Sequence, residues 1–301
     1  MALPGRLLFL GQHHVPIVGF IGAGTVGTAL AARLSEKGYA VTAVSSRTST
    51  SAERLAAVVG KCQIHDSGQG VADAAEMVFI TTPDAVIPQI AAQVRWHPGQ
   101  SVVHCSGADS LDVLTPAMEN GALTGGFHPL QTFASITHAM ENIPGSTFAL
   151  EAEEPLLGML REMAGALEGR SITLRPGDKV LYHAAAVFAC NYLVTLMKLA
   201  TDLWQTFGAS PPQAIEALLP LVRGTTNNLE NVGLPNCLTG PIARGDSVTI
   251  QKHMTALKAR APQLLPAYRE LGRQTIPIAL AKGRIDEARA KDLAAILDRA
   301  D

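Results

Sequence analysis

The sequence predicts an α/β protein in which a doubly wound, mostly parallel sheet is followed by an all-α domain. Short apolar runs alternate with helix-like segments up to about residue 176, and only helical periodicity remains from residue 178 onward. Such alternation is typical of a parallel sheet covered by helices. A glycine-rich turn also follows the first apolar run. We therefore expect domains at 1–176 and 177–301.

The composition argues against several function classes. The chain has 301 residues, of which 47% are hydrophobic and 17% charged, with a formal net charge of −2 and no basic cluster. It therefore lacks the electrostatic signature of a protein that binds nucleic acid or anionic membranes. Its four cysteines lie far apart, which favours reduced thiols and a cytoplasmic location. The apolar run within residues 1–16 is too short for the core of a signal peptide.

The elements of the first domain are assigned in chain order from apolar runs and their boundaries. Predicted strands cover 15–21, 40–46, 77–83, 100–107, a short part of 121–133, 146–151 and 171–175. Predicted helices cover 28–39, 50–60, 84–95 and 153–168. Lys37 and Gly38 are typical of a helix end, and Pro83 bounds the strand before it.

The second domain is expected to be helical, with breaks at Pro211–Pro212, Pro220, 233–246 and Pro266. Its first helix, 180–200, is apolar and long enough to cross a membrane. It nevertheless contains polar residues, and no second such segment accompanies it. We therefore interpret it as a helix of a soluble protein that is buried on most sides.

The turn "IGAGTVG" at 21–27 predicts a dinucleotide site of the Rossmann type. Gly22, Gly24 and Gly27 form the pattern G-x-G-x-x-G, after a strand and at the start of a helix. The first glycine permits the turn, the second admits the pyrophosphate and the third permits close packing. Thr25 and Val26 complete the segment whose amides would face the anion. A glycine-rich turn without a ligand is the alternative.

The end of the second strand, "AVSSRTST" at 43–50, indicates which dinucleotide is bound. A carboxylate here would accept a ribose hydroxyl, but the first acid is Glu53. Ser45, Ser46 and Arg47 instead offer hydroxyls and a guanidinium, which suit a 2′-phosphate. The segment therefore predicts NADP(H) over NAD(H), unless it is an ordinary solvated loop. Thr82 and Pro83 are expected to border the nicotinamide ribose.

The predicted helix 180–200 supplies candidate catalytic residues. His183 and Asn191 are eight residues apart and would share one helix face. His183 could exchange the proton that accompanies reduction, and Asn191 could hold a substrate oxygen. A histidine with a purely structural role is the alternative.

Two further segments, "HCSG" at 104–107 and "FHPLQTF" at 127–133, follow predicted strands at the edge where doubly wound sheets bind ligands. His128 joins the catalytic candidates and Ser106 the cofactor-binding candidates, while His104 and Gln131 are candidate cleft residues. Nothing in the sequence indicates an activated Cys105 thiol. These residues show no recognised metal-ligand spacing, and no metal is predicted.

The chain resembles bacterial proteins that join a Rossmann-like domain to a helical domain called DUF2520. The resemblance rests on "IGAGTVG", "HCSG", "FHPLQTF", "YHAAAVFACNYL" and "LTGPIARGD" at 238–246. The family is similar in architecture to 6-phosphogluconate dehydrogenase, including its C-terminal domain, to ketopantoate reductase and to pyrroline-5-carboxylate reductase. It implies an NADP oxidoreductase that forms homodimers, in which apolar helices such as 212–222 either form the interface or pack on their own domain.

Among these similar proteins, those that act on ketopantoate or β-hydroxyacids carry a catalytic lysine on the helix that opens the second domain. Here the matching face carries His183 and Asn191, unless Lys179, one turn earlier, takes the lysine's part.

The segment "TGPIARGD" at 239–246 has two expected roles. Asp246 is predicted to cap the helix that begins with "SVTIQKHM". Arg244 is either a clamp for a substrate carboxylate or a plain surface arginine.

Together these patterns predict an NADPH-dependent oxidoreductase acting on a small oxo acid, hydroxy acid or imine. Ketopantoate reduction is the most concrete substrate hypothesis, and it rests on the resemblance, as does pyrroline-5-carboxylate reduction. A non-catalytic NADP-binding redox sensor or regulatory protein is the alternative.

Overall fold

The computed structural model describes residues 15–299, which form two compact units, the first ending at Cys190 and the second beginning at Asn191. The apolar run near the start of the sequence, which is too short for the core of a signal peptide, lies outside the described residues. The domain boundary at 176/177 stays a prediction.

The first unit contains one eight-stranded sheet with the order β3-β2-β1-β4-β5-β6-β7-β8. Strands β1 to β6 are all parallel, β7 is antiparallel to β6, and β8 is parallel to β7. The predicted doubly wound, mostly parallel sheet is confirmed. The strands are β1 Ile17–Ile21, β2 Ala40–Ser45, β3 Gln63–Ile64, β4 Met77–Ile80, β5 Ser101–His104, β6 Leu123–Leu130, β7 Thr147–Ala152 and β8 Arg170–Thr173.

Helices cover the sheet, and its buried strands are apolar on both faces because both faces are packed. On one face, four buried phenylalanines form a row of ring contacts: Phe20 with Phe79, Phe79 with Phe127, and Phe127 with Phe148. The helices are α1 Thr25–Glu36, α2 Ser49–Val59, α3 Gly68–Ala74, α4 Ile87–Gln93, α5 Thr115–Glu119, α6 Ile136–Asn142, α7 Leu156–Ala166 and α8 Lys179–Ala189.

The second unit is helical, as predicted. Its helices are α9 Asn191–Gln205, α10 Pro211–Val232, α11 Ser247–Arg260, α12 Leu265–Ala281 and α13 Glu287–Asp298. The predicted cap is confirmed, because Asp246 accepts hydrogen bonds from the Thr249 amide at 3.0 Å and the Thr249 hydroxyl at 2.7 Å. Pro220 lies inside α10 without ending it, and Pro266 lies in the first turn of α12. The predicted break at Pro220 was therefore wrong, whereas the break at Pro266 is confirmed, because α11 ends at Arg260 and α12 begins at Leu265.

Two predictions about the site elements need correction. The strand expected within 121–133 is not short, since β6 extends to Leu130 and His128 lies within it. The antiparallel partner β7 pairs with β6 through Leu130, which explains the length.

The helix expected over 180–200 is interrupted at Cys190, and none of its residues is buried. By length and composition alone, the stretch Lys179–Gln205 could cross a membrane. The expectation of a helix buried on most sides was wrong, because an apolar composition does not specify what covers the helix.

Candidate active site

The candidate site lies at the carboxyl ends of the parallel strands. Strand order reverses between β1 and β4, and in open α/β sheets ligands bind in the crevice at such a reversal. The glycine turn follows β1, the serine–arginine segment follows β2, and the loops after β4 and β5 end at the same edge. The sheet therefore brings together four segments that the sequence separates.

The glycine turn is fixed by contacts that leave no room for side chains. Gly22 has φ +106°, its amide donates to the Ser45 carbonyl at 2.8 Å, and an added Cβ would lie 2.7 Å from the Thr81 carbonyl carbon. A Cβ on Gly27 would collide with the Thr81 hydroxyl, which itself donates to the Gly22 carbonyl at 2.7 Å. These two glycines thus serve turn formation and close packing, as the sequence predicts.

Gly24 and Thr82 are suited to a ligand. Gly24 is exposed, and a Cβ there would meet no atom within 4 Å. It precedes Thr25 and Val26 at the start of α1, whose first turn contains no acidic residue. The Thr82 hydroxyl is buried without a hydrogen-bond partner among residues 15–299. An open glycine, unpaired helix amides and an unsatisfied hydroxyl fit a bound dinucleotide.

The end of β2 presents an exposed cation beside a helix start. Ser45 is buried and its carbonyl secures the glycine turn, whereas Ser46 is half-buried and Arg47 is exposed. Thr48 follows as the N-cap of α2, whose first turn has no acidic residue. The guanidinium and the helix amides are both favourable to an anion at this position.

Ser106 is held by Asp84, a residue that the sequence analysis missed. The Ser106 hydroxyl donates to Asp84 Oδ2 at 2.9 Å and accepts from the amides of Ala108 and Asp109. This network orders the loop after β5 against the segment after β4, where exposed Pro83 precedes Asp84. A contact between Ser106 and the cofactor stays a prediction.

His128, Tyr182 and His183 lie together at this edge. His128 Nδ1 is 2.8 Å from the Tyr182 hydroxyl, and the His128 and His183 ring centroids are 6.3 Å apart. Both rings flank Gly107, where a Cβ would lie 2.6 Å from His183 Cδ2 and 2.7 Å from His128 Nε2. Burial lowers the pKa of His128 to about 4, and burial raises the pKa of Tyr182 to about 12. The pair is therefore neutral near pH 7, beside a partly exposed His183.

A second, fully buried cluster lies at the start of α8. Lys179 Nζ is 3.3 Å from His104 Nε2 and 3.6 Å from Glu151 Oε2, and all three residues are buried. Lys179 also passes over Gly126, where an added Cβ would lie 2.8 Å from Nζ. The first turn of α8 is thereby joined to β5, β6 and β7.

The hydrogen bonds of this cluster favour an uncharged lysine. The Ser106 amide donates to His104 Nδ1 at 3.2 Å, so the proton of the neutral ring is on Nε2, which faces Lys179. An Nε2–H group needs an acceptor, and only the neutral amine of lysine has a lone pair. Burial lowers the pKa of Lys179 although Glu151 opposes that shift, and burial raises the pKa of Glu151. The hydrogen-bond geometry and the desolvation of Lys179 thus both favour its neutral amine.

Glu151 and Tyr182 were missed by the sequence analysis. Glu151 is the one acid in the otherwise uncharged strand β7, which is a signal that could have identified it. Tyr182 stands directly before His183, but its contact with β6 depends on tertiary structure.

The other candidates of the first unit lie in different surroundings. Burial raises the pKa of the Cys105 thiol to about 12, which argues against a nucleophile. Gln131 is exposed, and its amide nitrogen lies 3.4 Å from both the Asn142 carbonyl and the Ser146 hydroxyl. Within residues 15–299, no group of three or more His, Cys, Asp or Glu side chains is arranged to hold a metal.

Asn191 and Arg244 belong to the second unit. Asn191 is exposed at the start of α9, so the expectation of a buried asparagine was wrong. The turn Ile242–Arg244 buries Ile242 and Ala243 and leaves Arg244 exposed. The interruption at Cys190 also means that helix periodicity no longer relates Asn191 to His183.

Comparison with known proteins identifies two domains. Residues 12–129 match the family of Rossmann-like domains, and residues 146–275 match the domain of unknown function DUF2520. A search of the curated proteins finds no match. The resemblance to Rossmann-like plus DUF2520 proteins is confirmed.

Solved structures with a similar fold cover nearly the whole chain. A Bacteroides fragilis protein proposed to be an NADP oxidoreductase is 25% identical, with a TM-score of 0.70 over 87% of this chain and 98% of its own. A Thermotoga maritima protein is 24% identical, with a TM-score of 0.63 over 94% of this chain and 100% of its own. An Aspergillus terreus reductive aminase in complex with NADPH and ethyl levulinate is 17% identical, with a TM-score of 0.64 over 95% of this chain and 99% of its own.

The buried histidines predict that the protein loses stability in acid. Burial lowers the pKa of His104 from 6.5 to about 3 and that of His128 from 6.5 to about 4. Below pH 6.5 the unfolded chain therefore binds more protons than the folded one, so the free energy of unfolding decreases as the pH falls toward 4. The slope reaches up to about 1.4 kcal/mol per pH unit for each histidine.

Urea unfolding at several pH values between 7 and 4.5 measures this slope. His128→Gln is expected to show a shallower pH dependence than the wild type, whereas His138→Gln, at an exposed histidine of α6, is expected to match the wild type. Equal slopes for all three proteins would show that His128 titrates normally in the folded state.

Proposed function

We propose that this chain, which joins a Rossmann-like domain to a DUF2520 domain, is an NADP(H)-dependent oxidoreductase that reduces a small oxo acid or imine or, in the reverse direction, oxidises a hydroxy acid. One observation supports this most strongly. The sheet edge that holds the open glycine turn and the unsatisfied Thr82 hydroxyl also holds a cluster of His128, Tyr182 and His183. A nucleotide site and a proton-transfer group would thus share one edge of the sheet.

The cofactor would be held by residues that the geometry leaves available. Gly22, Gly24 and Gly27 shape the turn for a pyrophosphate, and the amides that open α1 would bind it. Ser46 and Arg47, beside the start of α2, would bind the 2′-phosphate. The hydroxyl of Thr82 would gain the hydrogen-bond partner that it lacks.

The protein's own contribution to the chemistry is a proton. When bound, NADPH supplies two electrons and one hydrogen to a carbonyl or imine carbon. The oxygen or nitrogen of that group then needs a proton, and histidine is the side chain that exchanges protons most readily near neutral pH. His183 is partly exposed and lies beside the loop after β5, so we assign it as the acid.

Lys179 is the alternative acid, and the contacts favour His183. The Lys179 side chain is only 3% exposed, and its amine faces His104 and Glu151. A substrate could not reach that amine without displacing buried groups. His128 has a different role in this proposal, since its bond to the Tyr182 hydroxyl positions the turn of α8 that carries His183.

The substrate is proposed at the level of a chemical class. Ketopantoate is the most concrete candidate and pyrroline-5-carboxylate the second, both from the family resemblance. The structural similarity to a reductive aminase adds imines and amine–carbonyl pairs to the compounds worth testing. Within the second unit, Arg244 stays a candidate clamp for a carboxylate. We also propose a cytoplasmic location, since the four thiols are free.

Oxidation of NADPH against a panel of oxo acids and cyclic imines tests the proposed function. With the best substrate, His183→Ala is expected to lower kcat by about 100-fold or more while the Kd for NADPH changes little. His138→Ala is the matched control, because His138 is an exposed histidine on α6 of the same unit.

Unchanged kcat in His183→Ala would contradict the assignment of the acid. Tight NADPH binding without turnover of any compound in the panel would instead favour the non-catalytic redox sensor.

The choice of cofactor has its own test. Removing the guanidinium in Arg47→Ala is expected to weaken NADPH binding about tenfold or more and to leave NADH binding nearly unchanged, because only NADPH carries the 2′-phosphate. Fluorescence titration of both cofactors measures the two Kd values, and Arg54→Ala on α2 is the control. Equal losses for the two cofactors would show that Arg47 does not recognise the phosphate.

We also propose that the protein is a homodimer that covers exposed apolar helix surfaces. In the first unit, α8 exposes Val180 and Leu181, which are 65% and 76% accessible. In the second unit, Val194 of α9 and Leu221 of α10 are 68% and 67% accessible. Monomeric soluble proteins rarely leave large apolar patches uncovered.

A second copy of the chain suits these surfaces better than lipid. The stretch Lys179–Gln205 carries an ion pair between Lys198 and Asp202 at 2.7 Å, and charged groups are expensive in a bilayer.

Light scattering coupled to size-exclusion chromatography tests the dimer. The wild type is expected to have twice the mass of the chain, and Leu181→Glu is expected to be monomeric with an unchanged circular dichroism spectrum. Val248→Glu on α11, where Val248 is 59% exposed, is the control and should remain dimeric. A monomeric wild type, or flotation of the wild type with liposomes, would contradict the proposal.

A further inference from the structure

A cavity of about 480 Å³ lies in the second unit beside the segment that contains Arg244. It is lined by the loop at 238–244 and by the turn at 282–284 that follows α12. We infer that this cavity is a binding site for the carboxylate of a small organic acid. Its lining includes Leu238, Thr239, Ala243, Arg244, Lys282 and Arg284.

The ionisable side chains that line the cavity are positively charged. Among the described residues that line it, three are ionisable, all three are cations and none is a carboxylate. Among residues 15–299, the guanidinium groups of Arg244 and Arg284 have no hydrogen-bond or ion-pair partner. Arg273 of the same unit differs, since it is paired with Glu270 and Asp298. Two unpaired guanidinium groups facing one cavity indicate an anion site.

The nearest carboxylate to Arg244 along the chain has another task. Both oxygens of Asp246 accept hydrogen bonds from Thr249, one from its amide and one from its hydroxyl. Asp246 thus caps α11. Arg244 is near enough to help lower the pKa of Asp246, but it forms no ion pair with it among residues 15–299, so its guanidinium can still bind a ligand.

The backbone around the cavity is built as a fixed frame. Lys282 Nζ donates to the carbonyls of Asn236 and Leu238, both at 2.7 Å, which joins the turn after α12 to the loop. Ile242 and Ala243 are buried directly before Arg244. Because both sides of the cavity are held, the backbone that carries Arg244 and Arg284 is positioned before a ligand arrives, which reduces the entropy cost of binding.

The lining also indicates the kind of anion. A guanidinium group binds a carboxylate through two parallel hydrogen bonds, and the Thr239 hydroxyl can bind a further oxygen. Leu238 and Ala243 provide an apolar wall that suits a short carbon chain. The volume falls within the range of small-molecule sites. Inorganic phosphate would match the charge but would leave the apolar wall uncovered. Identifying this acid with the substrate rests on the proposed function, whereas the site itself does not.

Calorimetric titration of the full chain without NADPH tests the site, with 2-oxobutanoate, butanoate and inorganic phosphate as probes. The organic acids are expected to bind one per chain and more tightly than phosphate. Arg244→Ala and Arg284→Ala are each expected to weaken that binding at least about tenfold. Arg223→Ala, at an exposed arginine of α10 outside the cavity, is the matched control and should bind like the wild type.

Three results would overturn the inference: no binding of organic acids, equal or tighter binding of phosphate, or equal losses in the Arg223 and Arg284 variants. Measuring NADPH oxidation on the same samples distinguishes failure of the acid-binding site from failure of the proposed reductase function. Acid binding without NADPH oxidation retains the site and rejects the reductase. NADPH oxidation with no effect of either cavity variant on acid binding retains the reductase and rejects the site.

Discussion

The buried contact of Lys179 with His104 and Glu151 is the interaction on which the candidate active site depends. It joins the first turn of α8 to the ends of β5 and β7, over the backbone of β6 at Gly126. Tyr182 and His183 follow within one turn of the helix, so their positions are set by this anchor. A buried lysine is destabilising unless it is paired or uncharged. Lys179 meets this condition as a neutral amine that accepts a hydrogen bond from the Nε2–H group of His104. The His104 ring is in turn oriented by the Ser106 amide, which donates to its Nδ1.

In the first unit, the candidate cofactor site and the candidate proton-transfer residues lie at the ends of different strands. The glycine turn and the end of β2 provide a positive, open surface at the strand reversal, where a dinucleotide is favoured. The histidine cluster lies two strands further along the sheet, at the ends of β5 and β6, where His128, Tyr182 and His183 are each half-buried. Desolvation keeps His104 and His128 neutral.

The helices after the sheet have a surface that the single chain does not explain. Their apolar residues are exposed, yet the same helices carry a buried lysine, a histidine and an ion pair. A helix with this composition is stable in water only when another surface covers its apolar side. The proposed homodimer supplies such a surface, and it explains why a segment apolar enough to resemble a membrane span occurs in a protein of this fold.

The sequence by itself determined the doubly wound sheet, the glycine turn, the helical second unit and the Asp246 cap, because each depends on local periodicity or on residues a few positions apart. It also identified His183 and His128 as candidates. Tertiary structure alone decided that Tyr182 pairs with His128 and that Lys179 is buried with Glu151, since these partners are up to 54 residues apart and meet only across the sheet. It likewise decided that Asn191 is exposed. Burial of an apolar helix is a property of its neighbours, and the pattern of one segment cannot specify them.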